Sequence, residues 1–291
     1  MTSVASMAAQ EASPLLKKLR SAVETAVEGK PEAIELALIA LIARGHVLVE
    51  DVPGVGKTTL ARALARAVGG ELRRLQFTSD MLPGDVLGVS VYDQRAGQFV
   101  FRQGPIFANI VLADEINRAS PRTQSALLEA MNEGQVSIDG VTTTLPDPFF
   151  VIATQNPQDF AGTFPLPESQ LDRFMVRVRL GYPPPQVETR LLLQGGDGDR
   201  AKNVPQVLQP AQLVMLQREV DRVKMDASLA AYLQAVLAAT RAAPSLSLGA
   251  SPRAGLNLAR AARARAVLMG RGYCIADDIH DLAVSVLAHR V

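Results

Sequence analysis

The chain has 291 residues, enough for one large or two modest domains, and its 48% hydrophobic content excludes a disordered polypeptide. Its 30 Lys and Arg against 29 Asp and Glu leave a net charge of +1, which excludes a global pull toward nucleic acid or an anionic membrane. The single cysteine, Cys274, rules out an internal disulfide and fits a reducing compartment.

At the start of the chain, Met1 to Pro14 lacks a basic n-region and carries Glu11, so no secretion signal is expected. Ser13 to Val27 reads as an amphipathic helix with Leu15, Leu16, Leu19, Val23 and Val27 as its stripe. Glu28-Gly29-Lys30-Pro31 breaks it, and Glu32 to Ala43 reads as a second helix. The longest apolar stretch, Ala33 to Val49, is interrupted by Glu35, Arg44 and His46 and should not span a bilayer. Together these features predict a cytoplasmic protein without membrane insertion.

His46 to Val49 reads as a buried strand, followed by Glu50-Asp51-Val52-Pro53-Gly54-Val55-Gly56-Lys57-Thr58-Thr59 and then a helix with Leu60, Ala61, Leu64, Ala65 and Val68 at helical spacing. Strand, glycine-bearing loop and Gly-Lys-Thr opening a helix is the P-loop context. Gly54 and Gly56 let the backbone curl so that successive N–H groups face a phosphate. The helix N-terminus adds partial positive charge. Lys57 can reach the β- and γ-phosphates, and the Thr58 hydroxyl can ligate Mg²⁺. Asp51 stands where the pattern expects its first glycine, and Pro53-Gly54 is left to make the turn.

Leu72 to Thr78 reads as the next strand, Asp80 to Asp85 as a turn, and Gly88 to Phe101 as a hairpin. Asn109 to Glu115 is an apolar strand ending in two acids. A nucleotide site needs this pair: Asp114 to hold Mg²⁺ and Glu115 to orient the attacking water, although alone the two could be a solvated strand end. Gly134 to Val141 reads as a second hairpin, and Phe149 to Thr154 as a core strand closed by Gln155-Asn156-Pro157. Asn156 then lies where α/β sheets place ligands, or is simply a turn Asn before Pro. Leu171-Asp172-Arg173-Phe174 leads into a fourth strand, Met175 to Leu180.

Pro183-Pro184-Pro185 marks a domain boundary, with an α/β nucleotide-binding domain over 1–182 and a helical domain over 183–291. Helices are predicted near 186–194, 210–224, 226–242, 252–269 and 276–290, with a loop from Gly195 to Pro205. Ser251 is a good N-cap and Pro252 suits the first helical position. Arg253 opposes the helix dipole there, which makes sense if it faces an anion. Arg260, Arg263 and Arg265 read as a solvated face. His46, His280 and His289 show no metal-ligand spacing.

In combination these motifs resemble the AAA+ ATPases, and within them the MoxR family. The resemblance is carried by Leu82-Pro83-Gly84-Asp85, Gly104-Pro105-Ile106-Phe107, Leu112 to Ala119, Ala126 to Met131 and Ser251-Pro252-Arg253-Ala254, and it covers nearly the whole chain. It implies an AAA+ core with a parallel sheet, a helix-2 insert over 86–102, a hairpin over 134–147 before sensor 1, and a smaller all-α lid. It implies ATP and Mg²⁺ as cofactors, Gly54, Val55, Gly56, Lys57, Thr58 and Thr59 as Walker A, and Asp114 and Glu115 as Walker B. Asn156 would be sensor 1, Arg173 an arginine finger acting on a neighbouring subunit, Arg253 sensor 2, and Gly29 and Lys30 part of the adenine pocket. The family implies a ring homo-oligomer, expected as a hexamer, that activates or metallates client proteins, in some cases beside a von Willebrand factor A-type protein. A C-terminal tail beyond His289-Arg290 is expected to be absent. A nucleic-acid motor and a non-hydrolysing scaffold are the alternatives. The nearly cation-free hairpin tips disfavour the first, and Glu115 disfavours the second.

Overall fold

In chain order the protein forms α1 (Ala9–Glu24), α2 (Pro31–Ile42), β1 (Val47–Glu50), α3 (Lys57–Ala67), β2 (Leu72–Gln76), α4 (Pro83–Leu87), β3 (Gly88–Asp93), β4 (Gln98–Gln103), β5 (Ile110–Asp114) and α5 (Pro121–Glu133). It continues with β6 (Gln135–Ile138), β7 (Val141–Thr144), β8 (Phe150–Gln155), α6 (Glu168–Leu171), β9 (Val176–Val178), α7 (Pro185–Leu193), α8 (Pro210–Arg222), α9 (Ala227–Ala242), α10 (Pro252–Leu268) and α11 (Ala276–Leu287). The structure, a computed structural model, describes residues 9–156, 162–193 and 199–291. Pro157 and the first part of the predicted 195–205 loop lie outside the described residues; Arg200–Asn203 forms a short 3₁₀ turn.

Five strands form one parallel sheet in the order β2-β5-β8-β1-β9, with Val47 beside Ile152 on one side and Val176 on the other. Because side chains alternate along a strand, the sheet feeds two cores. Val47, Val49, Ile110, Leu112, Phe150, Ile152, Val176 and Val178 join the core covered by α1, α2, α3 and the C-terminal helices. Leu48, Val111, Ala113, Val151 and Ala153 face the other core, closed by Val86, Ile106, Leu127, Leu128 and Phe174. Strands buried on both faces read as continuous apolar runs, which is why β1, β5 and β8 were legible. The helices after Pro185 share the first core through Leu213, Leu216, Leu258 and Ala262. Among the described residues no helix is long and apolar enough to cross a membrane.

Two antiparallel hairpins stand apart from the sheet, β3–β4 and β6–β7, as expected for the inserts. The β6–β7 turn is Asp139-Gly140, both at positive φ, the conformation a two-residue hairpin loop requires.

Three sequence expectations need correction. α1 begins at Ala9 and carries Pro14 inside it, rather than starting at Ser13. Tertiary anchoring overrides the proline penalty: Ala12 is fully buried, and the Ser13 hydroxyl donates to the Leu268 carbonyl on α10. The strand expected over 175–180 is only three residues long, as befits an edge strand. Arg260, Arg263 and Arg265 are not a solvated face. Arg260 pairs with Asp221 and Arg263 donates to the Val223 carbonyl, while Arg265 pairs with Asp278 and Asp281. α10 is packed against α1, α2, α8, α9 and α11, so it has few directions left to point at water.

Candidate functional site

β1 delivers the chain to the carboxyl edge of the sheet, where α/β folds bind ligands. Gly54 (φ 85°) and Gly56 (φ 101°) take left-handed conformations, and a Cβ at either would meet no atom within 4 Å. Glycine is needed there for the backbone turn and not for space. Gly56 caps α3, whose first turn carries Lys57, Thr58 and Thr59 and no acid, so the dipole's positive end is unopposed.

Asp51, the departure from the motif, has a structural task. Its Oδ1 accepts from the Val52 N–H (2.9 Å) and its Oδ2 from the Gly181 N–H (2.6 Å), which ties the loop's base to the chain leaving β9. Lys57 Nζ donates to the Asp51 carbonyl at 2.5 Å. Burial pulls the Lys57 ammonium pKa below its ordinary value, and the nearby Asp51, Asp114 and Glu115 carboxylates counteract that pull.

Across the loop, β5 ends at Asp114, and Glu115 takes a left-handed conformation (φ 57°, ψ 50°), rare for a non-glycine residue. A fully buried threonine on the adjacent β8 organises both acids. The Thr154 hydroxyl donates to Asp114 Oδ1 (2.6 Å) and accepts from the Glu115 N–H (2.9 Å). From the other flank, Arg74 on β2 pairs with Asp114 Oδ2 (2.7 Å), and Gln76 Nε2 donates to Glu115 Oε2 (3.1 Å). Arg118 Nε lies 2.9 Å from the same Glu115 oxygen. The Asp114 carboxylate is therefore held by donors from β8 and β2, and the Glu115 carboxylate by Gln76 of β2 and by Arg118.

These residues line one cleft of about 380 Å³ formed by Gly54, Gly56, Lys57, Thr58, Thr59, Asp114, Glu115 and Asn156, together with Pro53, Arg74 and Gln76. Backbone N–H groups, a helix N-terminus and an ammonium on one wall suit an anion. The Asp114 carboxylate at the end of β5 and the Thr58 hydroxyl from the first turn of α3 suit a hard divalent cation, presenting the oxygen donors that Mg²⁺ takes.

The remaining sequence candidates lie elsewhere. Val55 packs against the main core beside the loop. Gly29 turns at φ 74° against Pro184, and Lys30 Nζ donates to the Tyr182 carbonyl. Arg173 donates to the Leu128 carbonyl (2.6 Å) and Arg253 to Asn132 Oδ1 (2.8 Å). Residues 128 and 132 are one turn apart on α5, so the two arginines share a face. Neither lines the cleft. Arg173 precedes β9, at the amino edge where the Met175 N–H meets the His46 carbonyl. The length of β1, at ~3.3 Å per residue, puts the P-loop roughly 13 Å away at the other edge.

Arg74, Gln76 and Thr154 escaped sequence reading. Each is an ordinary strand residue until the register is known: Gln76 lies opposite Asp114, and Ala113 opposite Ala153.

Comparison with known proteins adds to this geometry. Residues 46–176 match the model of the ATPase family associated with various cellular activities (AAA), and residues 238–291 match the AAA lid domain. The chain is similar to Uncharacterized protein YeaC of Bacillus subtilis (strain 168), 50% identical over 96% of this chain and 87% of that protein. It is similar to Chaperone MoxR1 of Mycobacterium tuberculosis, 41% identical over 92% of this chain and 73% of that one. A solved structure from Cytophaga hutchinsonii ATCC 33406, provisionally assigned as an ATPase, superposes with a TM-score of 0.88 at 36% identity, covering 97% of this chain and 88% of that one.

Proposed function

Because the chain belongs to the MoxR family of AAA+ ATPases, we propose that it hydrolyses ATP with Mg²⁺ and uses the cycle, as a chaperone-like ring, to remodel, activate or metallate client proteins. The observation that carries this reading is the convergence of Lys57, Thr58, Asp114, Glu115 and Asn156 on one cleft at the sheet's carboxyl edge.

In this reading the loop amides and the α3 terminus hold the phosphates, and Lys57 offsets their charge. Thr58 and Asp114 would hold Mg²⁺, which when bound neutralises charge on the phosphate oxygens. Glu115 orients a water and accepts its proton as that oxygen attacks the γ-phosphorus, giving ADP and phosphate. Asn156 reaches the same water or the γ-phosphate from the end of β8. Arg173 and Arg253, side by side and remote from their own cleft, serve the nucleotide of a neighbouring subunit. Residues 183–291 act as the lid of the chain's own nucleotide-binding domain over 1–182, in the cytoplasm.

A protein client is supported by the β3–β4 hairpin, where Val89, Tyr92, Phe99 and Val100 are exposed and Tyr92 packs edge-on against Phe99. Phosphate tracking would ask for several cations there. The decisive experiment is Glu115→Gln. ATP binding should persist while turnover falls roughly 10²–10⁴-fold, the range general-base removal gives. Near-normal turnover would remove Glu115 from this role.

A further inference from the structure

Arg290 is almost fully buried, with 2% of its side chain exposed, so it can reach no ligand itself. Its guanidinium grips the residues on both sides of Arg173. Its Nη1 lies 2.9 Å from Asp172 Oδ1, and its Nη2 donates to the Phe174 carbonyl. The Asn257 amide oxygen, on α10, accepts from both terminal nitrogens at 3.1 and 2.9 Å. Ser251, the N-cap of α10, adds a contact to Asp172 Oδ2 (3.3 Å), and the Phe174 ring is fully buried in the second core.

Arg173 itself is held far more loosely. Among the described residues its side chain makes one hydrogen bond, to the Leu128 carbonyl, and its Nε finds no acceptor. The direction in which Arg173 points is therefore set by the backbone at 172 and 174. Stability is a poor explanation for this arrangement. Desolvating an ion pair costs several kcal/mol per ion, and well-packed apolar residues often do as well. What an arginine offers and an apolar residue does not is a rigid fork that fixes three acceptors at once.

We propose that Arg290 is a positioning residue for catalysis: by clasping Asp172 and Phe174 against α10, it aims Arg173 at the neighbouring subunit's nucleotide. The inference rests on the reading of Arg173 as a group acting in trans. It also makes the seating of α10 and α11 a condition for delivering Arg173, since Asn257, Ser251 and Arg290 all come from that region.

Mixing experiments test it. Arg290→Ala keeps its own P-loop, so its nucleotide affinity should match wild type while its ATPase rate falls roughly 10²-fold, as misplacement of a catalytic group does. Mixed with Lys57→Ala under confirmed subunit exchange, it should regain activity, because Lys57→Ala subunits supply a correctly held Arg173. Mixed with Arg173→Ala, it should regain none, since no subunit then supplies a working Arg173. Arg290→Lys should fall less, because a lysine can pair with Asp172 but lacks the fork. If Arg290→Ala does not fold, the same mixtures with Arg290→Lys carry the test. Full turnover in Arg290→Ala overturns the proposal, as does recovery with Arg173→Ala. So does failure with Lys57→Ala when the Arg173→Ala and Lys57→Ala mixture recovers, which would mean general damage. If that reference mixture recovers nothing, the trans reading falls and this inference with it.

Discussion

Thr154 shows how much one hydroxyl can organise. It spends its proton on Asp114 and its lone pair on the Glu115 N–H, holding the chain through the left-handed turn that separates the two acids. Removing it leaves a part-buried carboxylate oxygen and a backbone donor without this partner together, each costly to leave unpaired. Thr154→Val, nearly isosteric, should therefore lower ATPase turnover roughly tenfold to hundredfold with much less effect on nucleotide affinity. Thr154→Ser should restore most of it. Steady-state kinetics beside equilibrium nucleotide binding would separate the two; equal losses in both would assign Thr154 to binding instead. Asp51 teaches a related lesson. The residue that breaks the P-loop pattern replaces flexibility with two hydrogen bonds, and the two glycines that remain are those at positive φ.

Strands and helices differ in how openly they announced themselves. α5, whose segment Leu127 to Met131 continues a helical pattern in the sequence, is bounded by local signals. Its Ser120 cap, its Pro121 start and its left-handed Gly134 end follow ordinary capping chemistry. β2 was legible as a strand but not as a wall of the site, because Arg74 and Gln76 acquire meaning only beside β5. At the mouth of β1, His46 joins three elements. The Val151 N–H donates to its Nδ1 (3.0 Å), so the proton sits on Nε2, which donates to the Met131 carbonyl (3.2 Å). Burial pushes the His46 pKa down to about 4, and burial beside Arg290 pushes His289 to about 3. Between these values and the ordinary 6.5 the unfolded chain binds more protons than the folded one, so this stability is whole above 6.5 and drains as pH falls. His46 alone should cost on the order of 2 kcal/mol by pH 5. Urea unfolding at pH 7 and pH 5 should show a larger loss in wild type than in His46→Asn. Equal losses would mean that the imidazole is not desolvated.

For the whole molecule, the separation of Arg173 and Arg253 from the cleft makes the single chain an incomplete catalyst in the proposed reading. Arg173→Ala and Lys57→Ala should each be nearly inactive, since an arginine supplied in trans is worth about 10³–10⁵ in rate. Mixed after confirmed subunit exchange, they should recover activity at interfaces pairing an intact P-loop with an intact Arg173. ATPase assays across mixing ratios decide it: full activity of Arg173→Ala alone, or no recovery in exchanged mixtures, removes the trans role.

The sequence by itself determined the elements whose signals are local. Apolar runs marked β1, β5 and β8, glycines marked the phosphate loop, and the Ser251 cap with Pro252 marked the start of α10, because each depends on residues a few positions apart. Only the tertiary structure decided which strand lies beside which, and so brought Arg74, Gln76 and Thr154 to the two acids from 39 or 40 positions away. It also gave Arg260, Arg263 and Arg265 of α10 partners within the fold and clamped Asp172 and Phe174 with Arg290, 116 positions beyond Phe174. A charged side chain in a sequence does not reveal whether it will meet water or a buried partner. That choice belongs to the packing of elements remote in the chain.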